Sequence, residues 1–279
     1  MNENQPLENQ EDRGYRHLEP IGGMLKHLRM SSTAEGFHKQ GDRQQNEGAG
    51  VENECPICKG AQTVHPRQPD GRPDYSRLIP CVCIRAKLEA EKKERLLRMC
   101  ELPKKAMRWT FETFEVLPGL EEAHEAALDL AERRGENKWL LLMGGTDRGK
   151  SHLLAAICHR WFQAGMPARY AYVPLLLKEL RRGFRGEGDN SYDARFDFFL
   201  NVPLLAMDDL GTENRTPWVQ ECLDTIIDYR LMHELALVVT STLPMEDLPF
   251  RIRSRLSREG RVVYVAATEY HARSDRRTS

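Results

Sequence analysis

The sequence lacks any apolar run approaching the ~20 residues that a membrane-spanning helix needs. Its first residues also lack the basic and then apolar pattern of a secretory signal peptide. We therefore expect a cytoplasmic protein without a membrane partner. Thiols stay reduced in that compartment, so we expect the seven cysteines to be free thiols or metal ligands rather than disulfides.

The chain also lacks an excess of charge of either sign, because 41 Lys and Arg face 42 Asp and Glu. The charge balance alone therefore identifies no nucleic-acid partner. Residues 84–108 and 251–279 are nevertheless basic, and such segments either contact phosphate backbones or form solvated surface. No internal repeat is visible, and 279 residues suffice for one sizeable core plus a small module.

One segment matches a phosphate-binding pattern, since residues 144–151 read GGTDRGKS and fit G-x-x-x-x-G-K-S. Residues 139–143 before it are typical of a buried strand, and residues 152–163 after it have helical periodicity. A glycine turn between strand and helix directs backbone N–H groups at an anion, so we predict a nucleotide site. Its candidate residues are Gly144, Gly145, Thr146, Asp147, Arg148, Gly149, Lys150, Ser151 and Asp208.

Binding and hydrolysis of a nucleotide with Mg²⁺ need a cation for the phosphates, a hydroxyl for the metal, and carboxylates for the metal and the attacking water. We expect Lys150 to reach the β- and γ-phosphates and the Ser151 hydroxyl to bind Mg²⁺. Residues 204–207 are an apolar run that ends in Asp208 and Asp209, which places both acids at the ligand-binding edge of a parallel sheet. Asp208 is the candidate Mg²⁺ contact, and Asp209 is the candidate for orienting or deprotonating water. The alternative is that the two acids merely end a strand.

Helices and short apolar strands alternate from residue 120 onward, which predicts an α/β fold with a parallel sheet covered on both faces. The five predicted strands are residues 139–143, 168–173, 204–207, 237–240 and 262–265. The predicted helices include residues 84–101, 120–134, 152–163 and 218–234, and a further helix after Pro249.

Four cysteines form two close pairs separated by 22 residues, Cys55 with Cys58 and Cys81 with Cys83. This spacing suits a tetrahedral thiolate site, whose usual metal is Zn²⁺, although a redox or non-metal role is the alternative. A module this small buries little core, so the expected role of the metal is structural. The other cysteines fall in helical, partly apolar patterns and are predicted core thiols: Cys100, Cys158 and Cys222.

Residues 180–200 interleave arginines with aromatic residues between the second and third predicted strands. This pattern can bind single-stranded nucleic acid through charge and stacking. Phe196 and Phe199 are more typical of core. The exposed DNA-binding candidates are Arg181, Arg182, Phe184 and Arg185.

These motifs together resemble the DnaC/IstB-like AAA+ ATPases, which are replicative helicase loaders and transposition helpers. The resemblance covers residues 111 to about 270. It rests on the P-loop and on residues 202–213 (VPLLAMDDLGTE), 226–230 (IIDYR), 239–243 (VTSTL) and 252–256 (IRSRL). The cysteine module is similar to the zinc-bearing N-terminal region of the Gram-positive and phage-type loaders.

The resemblance implies an AAA+ P-loop fold, ATP as cofactor with Mg²⁺, and self-association through the ATPase domain. It makes Arg255 the arginine finger and Thr242 the sensor-1 residue, so the catalytic candidates are Lys150, Asp209, Thr242 and Arg255. It also implies that the AAA+ domain binds single-stranded DNA. The cysteine module and the helix that follows it are implied to bind a replicative DNA helicase. We therefore expect a flexible, polar tail over 1–53, a zinc-binding module over 54–84, a charged linker helix over 85–110, the ATPase domain over 111–268 and a basic tail over 269–279.

Three positions depart from the family pattern. Asp147 stands where glycine is usual, Thr242 where asparagine is usual, and His271 where an arginine usually follows tyrosine. They predict slow, switch-like hydrolysis of ATP. We also expect this hydrolysis to be coupled to DNA. Three functions stay open: a helicase loader, an IstB-like transposition helper, which usually lacks a zinc module, and a non-hydrolysing adaptor protein.

Overall fold

The computed structural model describes residues 55–266, so the predicted tails and His271 lie outside the described residues. The strands are β1 Thr63–Val64, β2 Ile79–Pro80, β3 Trp139–Met143, β4 Ala168–Tyr172, β5 Leu204–Asp208, β6 Ala236–Ser241 and β7 Gly260–Tyr264. The helices are α1 Val82–Cys100, α2 Glu121–Ala131, α3 Lys150–Gln163, α4 Val173–Gly183, α5 Tyr192–Asn201, α6 Pro217–Met232 and α7 Phe250–Glu259.

The main sheet has the order β4-β5-β6-β3-β7, and every neighbouring pair is parallel. This confirms the predicted five-stranded parallel sheet. Strands β3, β5 and β6 are buried along their whole length because helices cover both faces, which explains their continuous apolar sequences. Parallel strands end at one edge, so the P-loop after β3 lies beside Asp208 on β5 and the polar end of β6.

Two apolar clusters sandwich the sheet. One contains α2, α3 and the last turn of α1, and the other contains α4, α5, α6 and α7. The predicted core thiols Cys100, Cys158 and Cys222 are buried within these clusters. Among residues 55–266, no helix combines the length and apolar composition that crossing a bilayer requires.

Helix α1 differs from its prediction at both ends. It begins at Val82 rather than at residue 84, because the Cys81 carbonyl accepts hydrogen bonds from the N–H groups of Ile84 and Arg85. Cys83 therefore lies in the first helical turn. At the other end, Leu96 and Cys100 pack into the main core, so the helix joins the cysteine module directly to the layer that covers the sheet.

The second predicted strand is one residue too long, since Val173 begins α4 instead of ending β4. Pro174 explains the difference, because proline has no N–H to donate and its fixed φ suits the first turn of a helix. The strand itself therefore ends at Tyr172.

Arg230, in the IIDYR segment, is fully buried and connects α6 to the elements beside it. Its guanidinium donates hydrogen bonds to carbonyl groups near the end of α5 and the starts of β5 and β6, those of Phe199, Leu200, Val202, Pro203 and Ala236. A buried carbonyl without a partner is costly, so this single side chain holds α5 against the sheet.

Candidate nucleotide, metal and DNA sites

The P-loop leaves β3 through Gly144, whose φ is 145° and which lies beside Val265, the residue that follows β7. A Cβ there would stand 2.6 Å from the carbonyl oxygen of Val265, so only glycine fits. Asp147 and Gly149 also have positive φ, 53° and 86°, before α3 begins at Lys150. Aspartate is among the non-glycine residues that adopt this conformation most readily, which explains how the loop accommodates Asp147.

Lys150 lies almost fully buried at the start of α3, and its Nζ donates to the carbonyl of Gly145 at 2.5 Å. Burial lowers the pKa of Lys150 from its ordinary value, while the charges of Asp208 and Asp209 act in the opposite direction. The ammonium group is therefore folded onto the loop that phosphates would enter.

The Asp208 carboxylate accepts three hydrogen bonds from hydroxyl groups. Its Oδ1 accepts from Ser151 Oγ at 2.9 Å and from Thr240 Oγ1 at 2.6 Å, and its Oδ2 accepts from Tyr170 at 2.5 Å. The structure thus brings Ser151 and Asp208 together, the two residues predicted to share Mg²⁺. Oxygen ligands of this kind are the ones that Mg²⁺ prefers.

Asp209 follows in a left-handed conformation with φ at 63°. Its N–H donates to Thr240 Oγ1 at 2.9 Å, whereas the predicted sensor Thr242 reaches Asp209 Oδ1 through a long 3.4 Å hydrogen bond. Thr240 therefore contacts both acids. The sequence showed hydroxyls at the end of this strand but did not indicate that Thr240 is the one that reaches Asp208.

Two residues beside the P-loop were missed, Lys105 and Trp109. They line a cavity of about 150 Å³ together with residues 147–152. The Trp109 ring stacks near His152, with centroids 5.8 Å apart and planes at 18°, and Lys105 Nζ lies 5.8 Å from the same ring. A flat ring and a cation beside a P-loop suit a nucleobase and phosphates. The only sequence signal was an aromatic residue next to a basic segment.

Arg255 lies on α7 and pairs with Asp228 of α6 rather than with its own P-loop. Its Nη2 is 2.9 Å from Asp228 Oδ2, and its Nε contacts the other carboxylate oxygen. Arg251 also reaches Asp228, at 3.1 Å, beside a groove of about 570 Å³ that no P-loop residue lines. An arginine finger would act on another subunit, so its role stays a prediction.

The four predicted metal ligands form one cluster, with all Sγ atoms within 4.8 Å of one another. Cys55 Sγ is 3.7 Å from Cys81 Sγ, and Cys58 Sγ is 3.5 Å from Cys83 Sγ. A tetrahedral zinc site with Zn–S bonds of about 2.3 Å requires sulfur separations of about 3.8 Å, so the residues fit Zn²⁺. Backbone N–H groups of Cys58 and Ile57 lower the pKa of the Cys55 thiol to about 6.

Zinc content tests this cluster directly. We expect the purified chain to carry a single zinc ion and Cys58→Ser to lose it, because serine is a poor zinc ligand. Hydrogen exchange over residues 55–83 should rise at the same time. The measurements are metal analysis and exchange mass spectrometry, with Cys222→Ala, a buried cysteine outside the cluster, as control. A metal-free wild-type chain prepared without chelators would contradict a zinc site.

The predicted DNA-binding residues lie at the end of α4 and just after it, and Arg181, Arg182, Phe184 and Arg185 are all exposed. Phe184 is 61% exposed and stacks on Tyr192 with centroids 4.6 Å apart. The Arg181 guanidinium lies 4.7 Å above the ring of Trp218. As predicted, Phe199 is buried in the core, and Phe196 is half-buried.

The strand order, the P-loop and the acid pair beside it define an AAA+ P-loop ATPase fold. Residues 81–250 match the model of the IstB-like ATP binding proteins. This match covers more than half of the chain, so the chain belongs to that family.

Part of the chain is also similar to a replication protein. The chain is 28% identical over 115 residues to the replicative helicase loader DnaI of Bacillus subtilis (strain 168), a match covering 41% of this chain and 36% of DnaI. The matched part thus spans about a third of that relative.

Two solved structures share the fold. One is the DnaC helicase loader, with a TM-score of 0.52 and 18% identity over 58% of this chain and 99% of that one. The other is the replication initiator DnaA bound to AMPPCP and single-stranded DNA, with a TM-score of 0.53 and 19% identity over 60% and 52%.

Proposed function

We propose that this chain is an ATP-dependent helicase loader in DNA replication, which binds ATP with Mg²⁺ and single-stranded DNA and delivers a replicative helicase. The observation that supports this most is the hydrogen bond between Ser151 and Asp208 beside the P-loop. The similarity of the chain to the helicase loader DnaI supports the loading role. The cluster of four cysteines on the same chain supports a loader over a simpler helper protein.

The nucleotide roles follow from the site. Lys150 would neutralise the β- and γ-phosphates, and Ser151 and Asp208 would hold Mg²⁺ between them. Asp209 would orient water, and Thr242 would report the state of the γ-phosphate to Asp209. The long Thr242 contact supports slow hydrolysis, since a weakly held water-orienting group is poorly preorganised.

The proposed DNA surface is the end of α4. Its exposed arginines supply phosphate contacts, and the Phe184–Tyr192 stack supplies a flat face that tolerates any base. The solved structure of DnaA with AMPPCP and single-stranded DNA has the same fold, which supports the proposal.

The proposed protein contacts lie elsewhere on the chain. The cysteine module over 54–84 and helix α1 would contact the helicase, because that part exposes large apolar side chains: Ile57, Tyr75, Leu78 and Val82. The four cysteines would hold Zn²⁺ for a structural purpose. Subunits would associate through the ATPase domain over 111–268, which brings Arg255 to a neighbour's nucleotide, and the protein would act in the cytoplasm.

The double substitution Arg182→Ala with Arg185→Ala tests the DNA surface. We expect the slope of log K for single-stranded DNA against log salt to fall by about 1.4, because two phosphate contacts are lost at about 0.7 each. Stimulation of ATP hydrolysis by single-stranded DNA should weaken in parallel, while hydrolysis without DNA persists. Fluorescence titration at several salt concentrations measures the slope.

The matched control is Arg133→Ala with Arg134→Ala, an exposed arginine pair after α2 on the opposite face of the sheet. An unchanged slope in the Arg182→Ala and Arg185→Ala variant, or an equal fall in the control, would contradict a DNA-binding surface at the end of α4.

The second candidate is a transposition helper, which the family's description as IstB-like favours. It predicts ATP-dependent assembly on duplex DNA. Duplex bending without any helicase association would select it over the loader.

A further inference from the structure

Tyr170 places a hydroxyl against the magnesium-binding carboxylate from a neighbouring strand. Strand β4 pairs with β5 so that Tyr172 faces Asp208 and Tyr170 faces Ala206. Side chains two residues apart on a strand share a face, so Tyr170 and Asp208 lie on the same side of the sheet. The Tyr170 hydroxyl donates to Asp208 Oδ2 at 2.5 Å, and the residue is only 7% exposed.

The two oxygens of Asp208 are held from opposite sides. Thr240 on β6 donates to Oδ1, and Tyr170 on β4 donates to Oδ2. The third donor, Ser151, also offers its oxygen to Mg²⁺ when the metal binds. Thr240 and Tyr170 therefore remain as the hydroxyls that fix the carboxylate plane from the neighbouring strands.

The Tyr170 hydroxyl is a hydrogen-bond donor to Asp208. The side chain of Tyr170 is buried with its hydroxyl against Asp208 Oδ2, and an ionised carboxylate can only accept, so the hydroxyl is the donor of this hydrogen bond. The strand is itself anchored, since Arg169 pairs with Glu101 after α1 and with Glu179 on α4. The hydroxyl is thus held at a fixed position.

We propose that Tyr170 is a positioning residue that orients the Asp208 carboxylate for Mg²⁺, an inference that rests on the proposed ATP-binding function. With the hydroxyl in place, Oδ2 accepts from Tyr170 while Oδ1 accepts from Thr240, so the orientation of the carboxylate is fixed from both sides. Without it, Oδ2 is left buried without its donor and the carboxylate rotates to find another. Apparent affinity for Mg²⁺ in the nucleotide complex then falls.

Tyr170→Phe tests the proposal because it removes the hydroxyl and keeps the ring. We expect the Mg²⁺ concentration for half-maximal binding of a fluorescent ATP analogue to rise at least about tenfold, the lower range for lost outer contacts of metal ligands. Binding at saturating Mg²⁺ and the thermal midpoint should stay close to wild type. A general loss of structure would lower both instead.

The matched control is Tyr229→Phe, which removes a half-buried hydroxyl bonded to Asn201 Oδ1 at 2.7 Å, and it should leave the Mg²⁺ dependence unchanged. In an Asp208→Asn background, Tyr170→Phe should add no further shift, because Tyr170 acts through Asp208.

The outcomes separate the two proposals. Wild-type Mg²⁺ dependence in Tyr170→Phe overturns the positioning role alone. Failure of the wild-type chain to bind the ATP analogue at any Mg²⁺ concentration overturns the proposed function and the positioning role together.

Discussion

Lys150→Ala is expected to lower ATP hydrolysis at least about 100-fold, because the transferred phosphoryl group loses the cation that offsets its developing charge. Lys150 is held at the start of α3, where its Nζ donates to the Gly145 carbonyl within the loop. Nucleotide binding should weaken as well. Phosphate release under single-turnover conditions, with and without single-stranded DNA, measures the effect.

The control for this substitution is Lys138→Ala, which removes an exposed lysine just before β3 that pairs with Glu234. Its rate should match that of the wild type. Folding of the Lys150→Ala chain is checked by its thermal midpoint without nucleotide. Hydrolysis within a few-fold of wild type in Lys150→Ala would show that phosphates bind elsewhere.

Arg255→Ala is expected to lower hydrolysis about 1,000-fold or more in the assembled protein, the range found for arginine fingers. Nucleotide binding by the single chain should change little, since Arg255 lies against Asp228 and not against its own P-loop. Asp228 keeps Arg251 as a partner, so the loss should not unfold the chain. Arg258→Ala, on the same helix and paired with Glu259, is the control.

Mixing the two inactive variants shows whether Arg255 acts across subunits. Chains with Lys150→Ala keep their arginine, and chains with Arg255→Ala keep their P-loop. Mixed assemblies therefore contain some complete sites, and hydrolysis should partly return. A mixture as inactive as its components would mean that Arg255 supports only its own chain, through Asp228.

Local sequence signals predicted the elements that form the fold. The P-loop and its strand could be placed because the apolar run, the glycines and the helix follow one another directly. The apolar pattern makes β4 one residue too long, because Val173 continues the pattern although the helix that contains Pro174 has already begun. The cysteine spacing predicted that the four cysteines cluster. It did not predict that Cys83 lies within α1, because that depends on where the helix begins.

The contacts around the acids could not be predicted, because they depend on which strands are neighbours and in which register. Tyr170 meets Asp208 only because β4 lies beside β5, and Thr240 meets it only because β6 lies on the other side. Lys105 and Trp109 reach the P-loop only because their segment folds back over it. Asp228 as the partner of Arg255 follows from helix packing, which a single sequence does not reveal.

The three departures from the family pattern have different consequences in the structure. Asp147 occupies a left-handed position that aspartate tolerates, so the loop keeps its form. Thr242 reaches Asp209 only weakly, which keeps slow hydrolysis as a prediction. His271 lies outside the described residues.

Loading of a ring-shaped replicative helicase onto circular single-stranded DNA tests the proposed function most directly, because a circle has no end to thread. The helicase from the same genome would be incubated with the circle and this chain, and bound helicase would be measured after removal of free protein. We predict loading that requires this chain and Mg-ATP and that fails with Lys150→Ala. Equal amounts of helicase on the circle with and without the chain would contradict a loader.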